Sequence, residues 1–408
     1  MNKVGIYISG LGQSFHNENV EKYAERFRNE LHFNEKGSNY ALKSEIITYT
    51  DKKTAKVVRL VKEGLTSSDE VAYTFYEFEY NELLTERFKR QNILLKNLIL
   101  FGLVFKKFPQ LFKRIFVQDH YNRPYLSFYA FFILAFVSLA VLFLIPATLD
   151  MLYEFKGIKS ILEGIKNSSI EFPPFIGEVY TRTFPFLKEI YKWTVPVTTL
   201  ILITVPESKT IVTSIATEFA CADRYLNDGI QSQVILGNLD LLVEYIVENE
   251  PNSKIHYHCY SFGSLIAMDY LFPLGSIPST NAKLHSEVLI TIGNPYEFIN
   301  SYYSKYFSNR SLVLEEKIKW INVYSISDAL SSNFRNDSTR GEAMYGLKNS
   351  SLKPENINYE ITPDKSQNFY NFITMDGIRM HKLYWDSETN GQSCVRLIVD
   401  FLDKQAIL

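Results

Sequence analysis

Residues Lys254–Tyr270, KIHYHCYSFGSLIAMDY, decide how the whole chain is read. Lys254–Tyr260 alternates and is rich in aromatic and β-branched types, the pattern of a strand. Phe262–Phe272 carries apolar side chains at helical spacing and stops at Pro273. Between them, Cys259-Tyr260-Ser261-Phe262-Gly263 is a variant of G-x-S-x-G, with Ser261 on the bend. In that motif a strained turn lifts the serine hydroxyl above the end of a sheet. The residues two before and two after must be small, because strand end and helix start pass close together. Cys259 and Gly263 satisfy this, with Cys in place of the first glycine. The plainer alternative is a serine capping an ordinary helix.

The composition narrows the rest. At 408 residues the chain suits one large α/β domain carrying an insertion. A net charge of −2 gives no nucleic-acid footprint. The three cysteines (Cys221, Cys259, Cys394) are scattered, so neither a disulfide framework nor a metal-ligand spacing follows, and a reducing compartment fits best. MNKVGIYISG runs straight into a strand with no signal-peptide pattern.

Lys3–Ser9 reads as a buried strand opening into Gly10-Leu11-Gly12-Gln13-Ser14 and then a helix over about Asn17–Leu31. A glycine turn there can aim backbone N–H groups at an anion. It is either a dinucleotide fingerprint lacking its third glycine or an oxyanion loop. Glu45–Asp51 reads as a strand, Lys53–Gly64 as a helix and Val71–Tyr80 as a third strand. This alternation predicts a parallel sheet with helices on its faces.

The pattern breaks over 81–206. Pro124–Leu149 holds no charged residue, and an uncharged apolar run longer than ~20 residues is long enough to span a bilayer. The alternative is a buried hairpin or hydrophobic cap. Strands on both sides of this block must join one sheet, so the crossings must be even in number. Spans over about 125–147 and 187–206 are expected, with Asn92–Phe105 as a fallback crossing or surface-lying helix. The basic cluster before Tyr125 places the remainder on the cytoplasmic side; Lys156, Lys159, Lys166 and Arg182 vote against this.

After Pro206 the α/β pattern returns, with helices over Lys209–Tyr225 and Asp228–Glu248. Strands over Ser286–Ile292 and Lys317–Ser325 follow, and a closing helix over Cys394–Lys404. A serine nucleophile needs a base, held in one tautomer by a carboxylate. Of seven histidines only His285 and His381 follow Ser261, and His285 precedes a strand, the wrong end of a sheet for an active site. His381 is therefore the candidate base. Asp328, just past a strand end, is the candidate acid, with Asp376 and Asp337 behind it; capping its own turn is the plainer role for Asp328. The candidate oxyanion donors are the backbone N–H groups of Leu11 and Phe262. His256 and His258 lack a third metal ligand and read as hydrogen-bonded packing on one sheet face. Asp223 and Arg224 read as a helix cap and a structural ion pair.

Together the Ser9–Gln13 loop, the Cys259–Ser264 turn, Ile292–Pro295, the Asp328 loop and His381 with Tyr384-Trp385 resemble the α/β-hydrolase superfamily, in its lipase/esterase-like members. The likeness covers the chain outside 81–206, giving a core of 1–80 and 207–408 with an inserted helical membrane hairpin. It departs at Ser9 and Tyr260, where the family usually carries His. The resemblance implies a mostly parallel α/β sheet flanked by helices, and ester hydrolysis through an acyl-enzyme without metal or cofactor; the expected anchor places the site at a lipid bilayer, so a lipid or other acyl ester is the expected substrate. The alternative is an inactive hydrolase-fold membrane protein serving as a binding or scaffolding module. Acyl transfer to an acceptor other than water would use the same residues.

Overall fold

The computed structural model describes residues 3–11, 19–34, 39–63, 70–116, 208–227, 229–328, 330–334, 347, 349–360, 380–386 and 388–408, with isolated positions between 131 and 196. The chain divides into two compact units. One comprises Met1–Leu83, Arg114–Ala130 and Leu226–Leu408; the other comprises Leu84–Lys113 and Phe131–Tyr225.

The first unit is built on a mixed sheet. Its elements begin with β1 (Lys3–Ile8), α1 (Val20–Asn34), β2 (Tyr40–Thr50), β3 (Lys53–Lys62) and β4 (Glu70–Glu77). Next come three helices that lie largely in the second unit, α2 (Asn81–Lys89), α3 (Ile93–Phe116) and α4 (Ser208–Asn227). The first unit resumes with α5 (Gly229–Asn249), β5 (Lys254–Tyr260), α6 (Gly263–Leu271), α7 (Thr280–His285) and β6 (Ser286–Ile292). It closes with α8 (Tyr296–Tyr302), β7 (Lys319–Tyr324), β8 (Glu355–Asn358) and α9 (Val395–Lys404).

The eight strands lie in the order β2-β3-β4-β1-β5-β6-β7-β8. All neighbours from β4 to β8 pair in parallel, while β3 runs antiparallel to both β2 and β4. The expected helix over Lys53–Gly64 is therefore a strand, while the sheet as a whole is mostly parallel, as expected. Its buried residues explain the misreading. Ala55, Val57, Val58, Leu60 and Val61 are all covered, a spacing that serves a helix face as well as a strand, and the register slips between Leu60 and Val61.

Central strands are buried on both sides, as parallel strands under two helical layers must be. β1, β5 and β6 each expose little beyond their first or second residue. Tyr23, Phe27 and Leu31 of α1 and Ile398, Val399 and Leu402 of α9 share one cluster with Tyr7, Phe75, Ile290 and Val323 of the sheet. Each such aliphatic side chain contributes about 1.5–3 kcal/mol by leaving water. On α5, Ile235, Leu239, Leu242, Val243 and Ile246 are buried as that helix requires, whereas Ile230 and Val234 are exposed.

A row of polar side chains runs through this core. His256 Nε2 donates to Glu287 Oε2 at 3.0 Å, which leaves its Nδ1 to accept from the Tyr73 hydroxyl at 2.7 Å. The Tyr73 oxygen accepts from His258 Nε2 at 2.9 Å, and His258 Nδ1 accepts from Tyr23 at 2.8 Å. Both imidazoles are fully buried. Burial pushes His256 below the ordinary range, against the raising pull of Glu287, and pushes His258 well below it, with His256 adding to the effect. Neutral rings satisfy every bond in the row. The expectation of hydrogen-bonded packing for this pair matches what is seen.

In the second unit, Asp223 pairs with the buried Lys107 at 3.2 Å; it lies inside α4 rather than at a cap. The spans expected over 125–147 and 187–206 lie almost wholly outside the described residues. Among the described residues no helix is long and apolar enough to cross a membrane.

Candidate active site

The sheet has a switch point between β1 and β5. From β1 the chain moves to strands on one side, and from β5 it moves to β6, β7 and β8 on the other. In open α/β sheets, sites form in the crevice beyond the carboxyl ends of strands at such a point. Both the loop after β1 and the Ser261 turn emerge there, since Ile8 pairs with Cys259.

Ser261 has a φ of 51°, in the left-handed region that costs a non-glycine residue about 1 kcal/mol or more. The turn is held from several sides. Ser261 N–H donates to Ile292 O of β6 at 2.8 Å, and Ser264 N–H donates to Ser261 O at 3.0 Å. A Cβ on Gly263 would sit 2.3 Å from Ile8 O and 2.7 Å from Ser9 O. Only glycine lets α6 start this close to the end of β1, which is the size rule read from the motif. Across the loop, the Tyr80 hydroxyl donates to Ser9 O at 2.9 Å and its ring stacks on Phe262.

The three residues proposed from sequence meet. His381 Nε2 lies 2.7 Å from Ser261 Oγ, and His381 Nδ1 lies 2.7 Å from Asp328 Oδ2. Residues 53 and 120 positions apart along the chain close this array. Asp328 also performs the plainer task, since its Oδ1 accepts the Leu330 N–H at 2.9 Å. Ser261, Asp328 and His381 are all buried. Leu11 follows β1 at the same sheet end and Phe262 opens α6, so both expected donors belong to the segments that flank Ser261. His285 instead bonds Ser253 O at the opposite end of the sheet. Asp337 and Asp376 lie outside the described residues.

Two tyrosines hold the array, and their roles were not read from sequence. The Tyr384 hydroxyl donates to Asp328 Oδ2 at 2.9 Å and accepts the Ser325 N–H at 3.1 Å. Burial, then the Asp328 charge, drives its phenol well above the usual range, so it stays a donor. The Tyr260 hydroxyl donates to the main-chain carbonyl of His381, and its ring stacks on the imidazole with centroids 5.5 Å apart. The missed signal was Tyr260 itself, the departure next to the serine. Gly293, at φ 59°, leaves space for the base: a Cβ there would lie 3.1 Å from His381 Cε1.

A hydroxyl bonded to an imidazole that is bonded to a carboxylate can lose its proton as it attacks a carbonyl carbon. Among the described residues no group of His, Cys, Asp and Glu is placed to hold a metal ion. No protein-family model, curated protein or solved structure matches the chain.

Proposed function

We propose that the chain is a membrane-anchored serine hydrolase that cleaves a carboxylic ester, lipid or other acyl, through an acyl-enzyme. The observation that carries this reading is the hydrogen-bonded series Ser261, His381, Asp328, with Ser261 in a left-handed conformation at the sheet's switch point. Ser261 Oγ attacks the ester carbonyl while His381 Nε2 takes its proton. The oxyanion is held by the N–H groups of Leu11 and Phe262, a stabilisation worth about 2.7–4 kcal/mol per donor. Collapse expels the alcohol, protonated by His381, and water then attacks the acyl-enzyme by the same route. Asp328 orients the imidazole and stabilises its charge. The lipase/esterase-like α/β-hydrolase resemblance supports the same assignment. The uncharged run within 124–149 supports a bilayer anchor, with the catalytic unit on the cytoplasmic side.

Labelling with a fluorophosphonate probe tests the assignment. Wild type labels; Ser261→Ala does not, and both Ser261→Ala and His381→Ala lose hydrolysis of short p-nitrophenyl esters. Equal labelling of wild type and Ser261→Ala removes Ser261 from the mechanism. A second reading, an inactive hydrolase-fold scaffold, draws on one observation: Ser261 is only 8% exposed. Wild type that neither labels nor hydrolyses favours that reading.

A further inference from the structure

We infer that α3 lies on an anionic lipid surface through the face that carries Leu98, Phe101 and Phe105. Its sequence, ILLKNLILFGLVFKKFPQLFKRIF, has Lys96, Lys106, Lys107, Lys113 and Arg114 and no acidic residue. At ~100° per residue, Leu95, Leu98, Phe101, Phe105, Phe108 and Phe112 fall in one arc roughly 140° wide. That arc is open along Leu98, Phe101 and Phe105, which are 62%, 59% and 77% exposed, while further along Phe108 meets the Phe131 ring edge-on. Leu100, Leu103, Lys107 and Leu111 on the other side are buried. The helix is thus apolar on two faces, one packed and one presenting on the order of 500 Å² of apolar surface to solvent, as much as interaction patches usually hold.

The chemistry of the occupant follows from the charges. Lys106 and Lys113 are exposed and lie along one edge of the open arc. A second copy would bring the exposed Lys106 and Lys113 of one helix against those of the other with no acidic residue on either helix, an arrangement that like charges oppose. An anionic bilayer offers acyl chains to the phenylalanines and headgroups to the lysines at the depth where amphipathic helices settle. With the exposed Lys106 at its middle and Lys107 held by Asp223 on the packed face, α3 lies along such a surface rather than crossing it. This contact is separate from the anchor proposed above and independent of the hydrolase reading.

The native cysteines are buried, so a thiol introduced on α3 takes a label selectively. Phe105→Cys and Gln110→Cys forms of the full chain, each carrying an environment-sensitive fluorophore, are mixed with phosphatidylcholine vesicles with or without about 30% phosphatidylserine. Each form must first show the wild-type thermal transition. The expected result is flotation with anionic vesicles, with the Phe105→Cys label shielded from iodide at least fivefold better than the Gln110→Cys label. Quenching lipids should place it ~5–10 Å below the headgroups. Flotation with both labels equally open to iodide overturns the inference and leaves the anchor standing. Equal shielding on vesicles lacking phosphatidylserine overturns the anionic requirement. Shielding that grows with protein concentration without lipid assigns the face to a second copy instead. Failure to float overturns both membrane proposals, while ester hydrolysis in solution is scored separately.

Discussion

The Tyr384 hydroxyl and the His381 imidazole share one oxygen, Oδ2 of Asp328, at 2.9 and 2.7 Å. The carboxylate is thereby fixed in position and orientation before it meets the base. Tyr384→Phe should lower kcat for p-nitrophenyl ester hydrolysis by roughly 10–100-fold with KM little changed, because it deletes one charge-assisted bond and leaves the Ser325 N–H only its longer bond to Ser331 Oγ, at 3.4 Å. Steady-state kinetics with a folded variant checks this; unchanged kcat would show that Tyr384 does not position the acid.

The left-handed Ser261 separates stability from activity. Ser261→Gly should be more stable than Ser261→Ala by about 1 kcal/mol, because glycine adopts this backbone without a Cβ penalty while alanine retains it. Denaturant titration of the two inactive variants makes the comparison. Equal stabilities would mean that the bend stores no strain.

Two glycines should respond in opposite directions to the same substitution. Gly263→Ala drives a methyl into main-chain oxygens of Ile8 and Ser9 and should cost more than ~3 kcal/mol, in the range of severe overpacking. Gly237→Ala, on α5 with nothing within 4 Å of the added carbon, should stabilise by ~0.5–1 kcal/mol through helix propensity. Thermal denaturation of both variants is the measurement.

Glu77 gives the fold a pH dependence. It accepts the Val20 N–H at 3.2 Å at the start of α1. Burial first, and Glu79 second, push its carboxyl up to about 7. The folded state therefore holds this proton more tightly than the unfolded chain does. The stabilisation is complete below the usual carboxylate range near pH 4.5 and is lost as pH rises through about 7. Glu77→Gln should match wild type near pH 4.5 and exceed it at pH 8 by up to ~3 kcal/mol. Parallel denaturation curves across that range would refute the assignment.

What the sequence made legible follows from locality. Ser261, Asp328 and the oxyanion segments each sit at the end of a strand, so local pattern located them. His381 emerged because only two histidines follow Ser261. Tyr260 and Tyr384 gain their partners only when a late loop docks on β5, which no local pattern records. β3 was misread because a strand covered on both sides has no clean period of two. β8, the short polar strand Glu355–Asn358 at a sheet edge, lacks the hydrophobic signature of the central strands.

The row from Glu287 to Tyr23 also has a bearing on how the polypeptide assembles as it is made. Tyr23 and Tyr73 come from the amino-terminal segment, whereas their partners His258 and His256 follow them by 235 and 183 residues, and Glu287 comes later still. β1 meets its second neighbour, β5, only across a still wider gap, with Val4 opposite Ile255. β1 therefore emerges with one edge of its ladder open until β5 is made, after the synthesis of a long apolar segment. Contacts of such wide separation are slow to close, so newborn chains of this protein pass through a stage that needs shelter from one another.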